Sequence, residues 1–104
     1  MEEGLVMWQD NNLKESIRNE ICELASEHGI EKVILFGSRA RGDHKERSDI
    51  DLAISGGNTA AFAVEADERI RTLLMFDVVN LDGPVQPELL AVIEKEGKTL
   101  YEKI

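Results

Sequence analysis

Apolar side chains recur along this chain with two different periods. Leu13, Ile17, Ile21, Leu24 and Ala25 follow helical spacing, Asn12 with Glu15 reads as a capping box ahead of them, and Gly29 ends the helix. Val33-Ile34-Leu35-Phe36 predicts a strand over 32–37, with a short helical turn over 38–42. A second strand covers about 49–55 and ends at Ser55-Gly56-Gly57. Asn58 or Thr59 then caps a helix over about 59–74, whose inward face is Phe62, Ala66, Ile70, Leu73 and Leu74. Phe76-Asp77-Val78-Val79-Asn80-Leu81 predicts a third strand. Pro87 at a first helical position, with Glu88 beside it, opens a last helix through about Glu96, and Gly97 interrupts it. Residues 98–104 carry no decisive pattern, although Leu100, Tyr101 and Ile104 are expected to tie them to the core. The order α-β-α-β-α-β-α predicts an α/β (α+β) domain, a small mixed sheet flanked by helices.

The chain of 104 residues predicts one domain, 1–104, with 1–11 as an N-terminal extension. Leu5, Val6, Met7 and Trp8 in that extension either pack beneath the first helix or meet another subunit. No stretch has the length and apolarity of a membrane span, and the opening Met-Glu-Glu is unlike a signal peptide. Cys22, the single cysteine, permits no internal disulfide and suits a reducing cytoplasm. These features predict a cytoplasmic protein without a membrane partner. The formal charge of −9 disfavours a broad nucleic-acid-binding face. Residues 39–47 run against that trend: Arg39, Arg41, Lys45 and Arg47 face Asp43 and Glu46, a local balance of +2. A basic island in an acidic chain suits one polyphosphate ligand better than a polymer.

The chemistry concentrates around that island. A strand delivers the turn Gly37-Ser38, and after ten residues a second strand brings Asp49-Ile50-Asp51. Alternate strand residues point the same way, roughly 6–7 Å apart, so Asp49 and Asp51 converge on one spot. Two carboxylates held that close repel by several kcal/mol at an effective dielectric of about 20 unless cations sit between them. Asp77, alone in an apolar run, is costly to bury without a partner and joins the pair if its strand lies beside theirs. Two Mg²⁺ ions, or Mn²⁺, about 3.5–4 Å apart would then clamp an in-line phosphoryl displacement. Gly37 allows close approach, Ser38 offers a hydroxyl at a helix start, and Arg39 and Arg41 stand ready to offset phosphate charge.

The stretch GSRARGDHKERSDIDLAI, Gly-Ser-x10-Asp-x-Asp, resembles the signature of the nucleotidyltransferase superfamily that includes DNA polymerase beta. In this short form it is similar to the minimal nucleotidyltransferases, antitoxin-type partners of HEPN-domain toxins, over about residues 12–104. The resemblance implies that Gly37 and Ser38 bind the β- and γ-phosphates of ATP, and that Asp49 and Asp51 ligate both magnesium ions. It implies that Asp77 ligates the catalytic ion and helps deprotonate the acceptor. The implied reaction moves AMP from ATP to a hydroxyl, a tyrosine of the HEPN partner, with release of pyrophosphate. So short a chain lacks a lobe for base or acceptor, which points to a partner chain, as homodimer or hetero-oligomer. A non-catalytic module that neutralises its partner by covering it is the alternative from another class, and nucleotidyl transfer to a small molecule is a third. Asp82 reads as a turn acid, Asp43 as a helix-end or turn acid, His28 as a helix C-terminal residue, and Tyr101 as a core anchor.

Overall fold

The computed structural model describes residues 13–103. Three helices and a short turn of helix alternate with strands: α1 (Glu15–Glu27), β1 (Lys32–Phe36), α2 (Ser38–Arg41), β2 (Ile50–Ser55), α3 (Thr59–Arg69), β3 (Phe76–Asn80), α4 (Pro87–Glu96) and β4 (Lys98–Glu102). The strands form a mixed sheet in the order β3-β2-β1-β4. β1 lies antiparallel to both β2 and β4, whereas β3 runs parallel to β2. The parallel pair needs a crossover, and α3 supplies it.

Side-chain alternation divides the sheet into two faces. Val33, Leu35, Ile50, Leu52, Ile54 and Phe76 join Ile17, Ile21, Leu24 and Ala25 of α1 and Phe62 and Ala66 of α3 in the main core. The intervening residues face the other way, where Phe36 and Ala53 pack with Ile93 of α4, flanked by Ile34, Val79, Leu81 and Leu89. Register puts Phe36 opposite Asp51 and Asp51 beside Asp77, so these acids share the α4 face.

The expected extent of helix α3 is corrected. The helix predicted over 59–74 stops at Arg69, where Ile70 turns extended (φ −80°, ψ 127°) with its side chain buried. The helical spacing of Leu73 and Leu74 is incidental: Leu73 is wholly exposed, and Leu74 is only partly buried against the core. The segment is held instead by local bonds, Thr72 N–H donating to the Ile70 carbonyl and Leu74 N–H to Thr72 Oγ1. It must leave the helix early because Phe76 has to reach the side of Ile50 in parallel register.

The undecided tail is strand β4, with Leu100 buried and Tyr101 partly buried against the core. Ile104, its third expected anchor, lies outside the described residues, as does Asn12 of the capping box. Helix α1 begins after Lys14, which makes no side-chain cap bond. At α3, Asn58 does cap, its Oδ1 accepting from Ala61 N–H at 3.1 Å. Among the described residues no helix is long and apolar enough to cross a membrane.

Candidate active site

The turn after β1 is set by Gly37, which adopts φ 77°, ψ −157°, a region essentially restricted to glycine. Its missing side chain matters as much as its torsion. A Cβ there would overlap Asp51 Oδ2 and stand 3.2 Å from Asp51 Cγ, so the turn backbone lies directly against that carboxylate. Ser38, partly exposed, opens α2 at the same place.

Asp51 is partly buried on β2, while Asp49, one residue before the strand, and Asp77 on β3 are exposed. Asp51 and Asp77 are register partners on adjacent parallel strands, whose spacing is roughly 4.8 Å. Asp49 stands two residues before Asp51, on the same side by alternation. The Asp51 carboxyl is pushed above the ordinary range first by burial, then by the charges of Asp77 and Asp49, with Arg41 acting in the opposite direction. The three acids therefore share one face and one rim of the sheet and feel one another's charge.

They do not form a closed ligand set: among the described residues no three acidic, histidine or cysteine side chains stand positioned to hold an ion. The donor chemistry nonetheless fits a hard divalent cation. Carboxylate oxygens on a rim, raised in free energy by mutual repulsion, are what such an ion neutralises. Asp49 and Asp77, being exposed, can turn toward Asp51 without disturbing the core.

The two arginines of α2 take different positions. Arg39 is 6% exposed, and its guanidinium donates from Nε to the Ser48 carbonyl at 3.1 Å and from Nη2 to the Glu46 carbonyl at 3.2 Å. It thus clamps the loop that leads into Asp49, a positioning role that spacing alone did not suggest. Arg41 is half-exposed and donates to Asp43 at 3.0 Å and to Glu96 of α4 at 2.9 Å. It remains close enough to favour the ionised form of Asp51.

Asp43 is therefore the ion-pair partner of Arg41. Asp82 accepts from Gly56 N–H at 2.7 Å, which joins its turn to the end of β2. His28, at the end of α1, pairs with Glu65 at 3.2 Å. Cys22 donates its S–H to the Leu100 carbonyl, and partial burial raises its thiol pKa.

With this geometry in place, the comparisons with known proteins decide the family. The family model described as "Polymerase beta, Nucleotidyltransferase" matches residues 19–104. This chain belongs to the polymerase beta nucleotidyltransferase family. A Methanocaldococcus jannaschii protein named "Putative protein adenylyltransferase MJ0604" is 37% identical over 102 residues, covering 86% of this chain and 99% of that one. Among solved structures, "Structure of putative minimal nucleotidyltransferase" superposes with a TM-score of 0.66 at 24% identity, over 89% of this chain and 98% of the other. A toxin-antitoxin crystal structure with AMP-PNP reaches a TM-score of 0.68 at 23% identity, over 83% and 73%. A complex of tri-AMPylated Shewanella oneidensis HEPN toxin with MNT antitoxin reaches 0.62 at 21%, over 84% and 71%. At these identities the structural matches show a shared nucleotidyltransferase fold.

Proposed function

We propose that this nucleotidyltransferase moves AMP from ATP to a hydroxyl of a protein partner, a tyrosine of a HEPN-type toxin, and thereby acts as the antitoxin of the pair. The observation that carries this reading is the rim on which Asp49, Asp51 and Asp77 share one sheet face with the Gly37 backbone pressed against Asp51. The jannaschii relative's name supports protein adenylylation as the reaction, and the toxin complexes of the same fold support the partner class. The AMP-PNP in one such complex supports ATP as the donor.

In this reading the Gly37-Ser38 turn holds the β- and γ-phosphates, which leaves the α-phosphorus facing Asp51. Asp49, Asp51 and Asp77 are the residues that would hold Mg²⁺. When bound, the metal lowers the pKa of the attacking hydroxyl and neutralises charge on the leaving pyrophosphate. The acceptor oxygen forms a bond to the α-phosphorus as the bond from that phosphorus to the bridging oxygen breaks. The electron pair leaves with pyrophosphate, and the hydroxyl proton passes to Asp77. Arg39 keeps Asp49 in place through the 46–48 loop carbonyls.

The test uses ATP labelled at the α-phosphate, Mg²⁺ and a HEPN-type protein as acceptor. Label should appear on the partner with stoichiometric pyrophosphate, and Asp49→Ala or Asp51→Ala should abolish it. Unchanged transfer in those variants would overturn the assignment of the carboxylates. Neutralisation of the partner by the double Asp49→Ala, Asp51→Ala variant would instead support simple covering of the toxin.

A further inference from the structure

We propose that the groove between the start of α1, the 42–49 loop and the 70–75 segment docks the acceptor, and that it takes an acidic protein segment bearing an apolar or aromatic side chain. This inference rests on the nucleotidyl-transfer reading of the neighbouring carboxylates. Asp49 lies in the wall of the groove together with Lys14, Arg47, Arg71, Leu73 and Met75.

Position is the first argument. The sheet order β3-β2-β1 sets Asp51 between two flanks. Gly37-Ser38 follows β1 on one flank, and the 70–75 segment runs into β3 and Asp77 on the other. A chain lying along Leu73 and Met75 therefore reaches Asp77 and Asp49 from the side opposite the phosphate turn. In-line displacement requires the attacking oxygen to arrive from the side away from the leaving pyrophosphate.

Charge is the second. Lys14, Arg47 and Arg71 are exposed, and among the described residues none of them has an ion-pair partner. Elsewhere the chain neutralises its exposed arginines, Arg41 with Asp43 and Glu96, Arg69 with Glu27 and Glu65. Lys14, Arg39, Arg47 and Arg71 outnumber Glu46 and Asp49 in the groove wall, a cationic excess in a chain of charge −9 that makes the groove complementary to carboxylates.

Apolar surface is the third argument. Leu73 is fully exposed and Met75 is 62% exposed, side by side with half-buried Leu74. A polyphosphate or nucleic-acid strand has no use for that apolar surface. A protein segment with an aromatic or aliphatic side chain between acids satisfies both features.

The experiment measures binding and transfer separately. Two short fluorescent peptides carry one tyrosine beside a leucine, flanked in one by Glu and Asp and in the other by Lys. Fluorescence anisotropy with the whole protein should show the acidic peptide bound about tenfold more tightly than the basic one at low salt. The double variant Lys14→Glu, Arg71→Glu should reverse that preference, and Leu73→Ser with Met75→Ser should weaken both peptides about threefold. All four side chains are exposed, and the ATP-induced thermal shift should be unchanged in both double variants. Equal binding of the two peptides, indifference to the charge reversal, or displacement of the acidic peptide by single-stranded RNA would each overturn the docking assignment. Should the acidic peptide bind as stated while no label reaches the HEPN-type acceptor, the docking surface stands and the transfer reading falls. Should label pass to the HEPN-type acceptor while peptide binding ignores the groove charges, the reverse holds.

Discussion

Replacing Gly37 with alanine separates backbone strain from damage to the site. At φ 77°, ψ −157° a side-chain-bearing residue costs on the order of 1–3 kcal/mol. For a domain of this size each kcal/mol lowers Tm by roughly 4–8 °C, so Gly37→Ala should cost between roughly 4 and 24 °C. The new methyl would also occupy the place of Asp51 Oδ2, forcing either the turn or the carboxylate to move. Gly29→Ala is the control: its φ is 68°, and an added Cβ would meet no atom nearer than 4.0 Å. Its left-handed torsion alone costs about 1–2 kcal/mol. Melting curves with and without ATP and Mg²⁺, and AMP transfer measured well below both midpoints, distinguish the two effects. Gly29→Ala should melt earlier while keeping its ATP-induced shift and its transfer rate. Gly37→Ala should melt earlier and lose both. If Gly37→Ala retains the nucleotide shift and transfers AMP at the parental rate, the turn does not cradle phosphate beside Asp51.

Burial and two neighbouring acids raise the Asp51 pKa, so its ionisation opposes folding above the folded-state pKa, and the opposition fades as pH falls through it. Asp51→Asn should therefore raise Tm near neutral pH and abolish transfer; the Tm gain should shrink in acid, and a pH-independent gain would refute the electrostatic cause. Arg39→Ala strands the Ser48 and Glu46 carbonyls and should cost about 1–3 kcal/mol in denaturant melts, with Arg39→Lys restoring little because the fork geometry is lost. Leu100→Ala should cost about 2–5 kcal/mol if β4 completes the core, and a smaller loss would show the strand to be dispensable. Glu96→Gln breaks a solvent-screened ion pair with Arg41 and should leave the melting midpoint unchanged.

What was legible in the sequence was whatever a local period or a fixed spacing encodes. Ile17, Ile21, Leu24 and Ala25 announced the buried stripe of α1, and the apolar runs around residues 34, 52 and 78 announced three strands. The pairing of β2 with β3, expected only on condition, brings Asp77 into register with Asp51. Strand β4 was hidden because an edge strand buries one residue, Leu100, among charged and exposed neighbours, and so shows no alternation. The end of α3 was hidden because Leu73 continues a helical period that packing never uses. Arg39 could be counted as a cation near the motif, but its carbonyl partners depend on how the 42–49 loop folds back, which composition does not encode.

The assignment of faces follows from strand parity and leaves little freedom to move the acids. One residue of slip in β2 would turn Asp49 and Asp51 into the core occupied by Leu35, Phe62 and Ile21, and bring Leu52 and Ile54 out to the rim. Five β2–β1 register pairs and five β2–β3 pairs hold that strand on both sides, and Ile50, Leu52 and Ile54 are completely buried. The hydrophobic side of β2 thus provides the force that presents its polar side. α4 covers that face around Phe36, Ala53 and Val79. A chain this small secures three like charges on one rim by making every apolar residue on the reverse of the same strand resist a shift. The cost of their repulsion is carried by the strand's buried side and relieved where a cation binds.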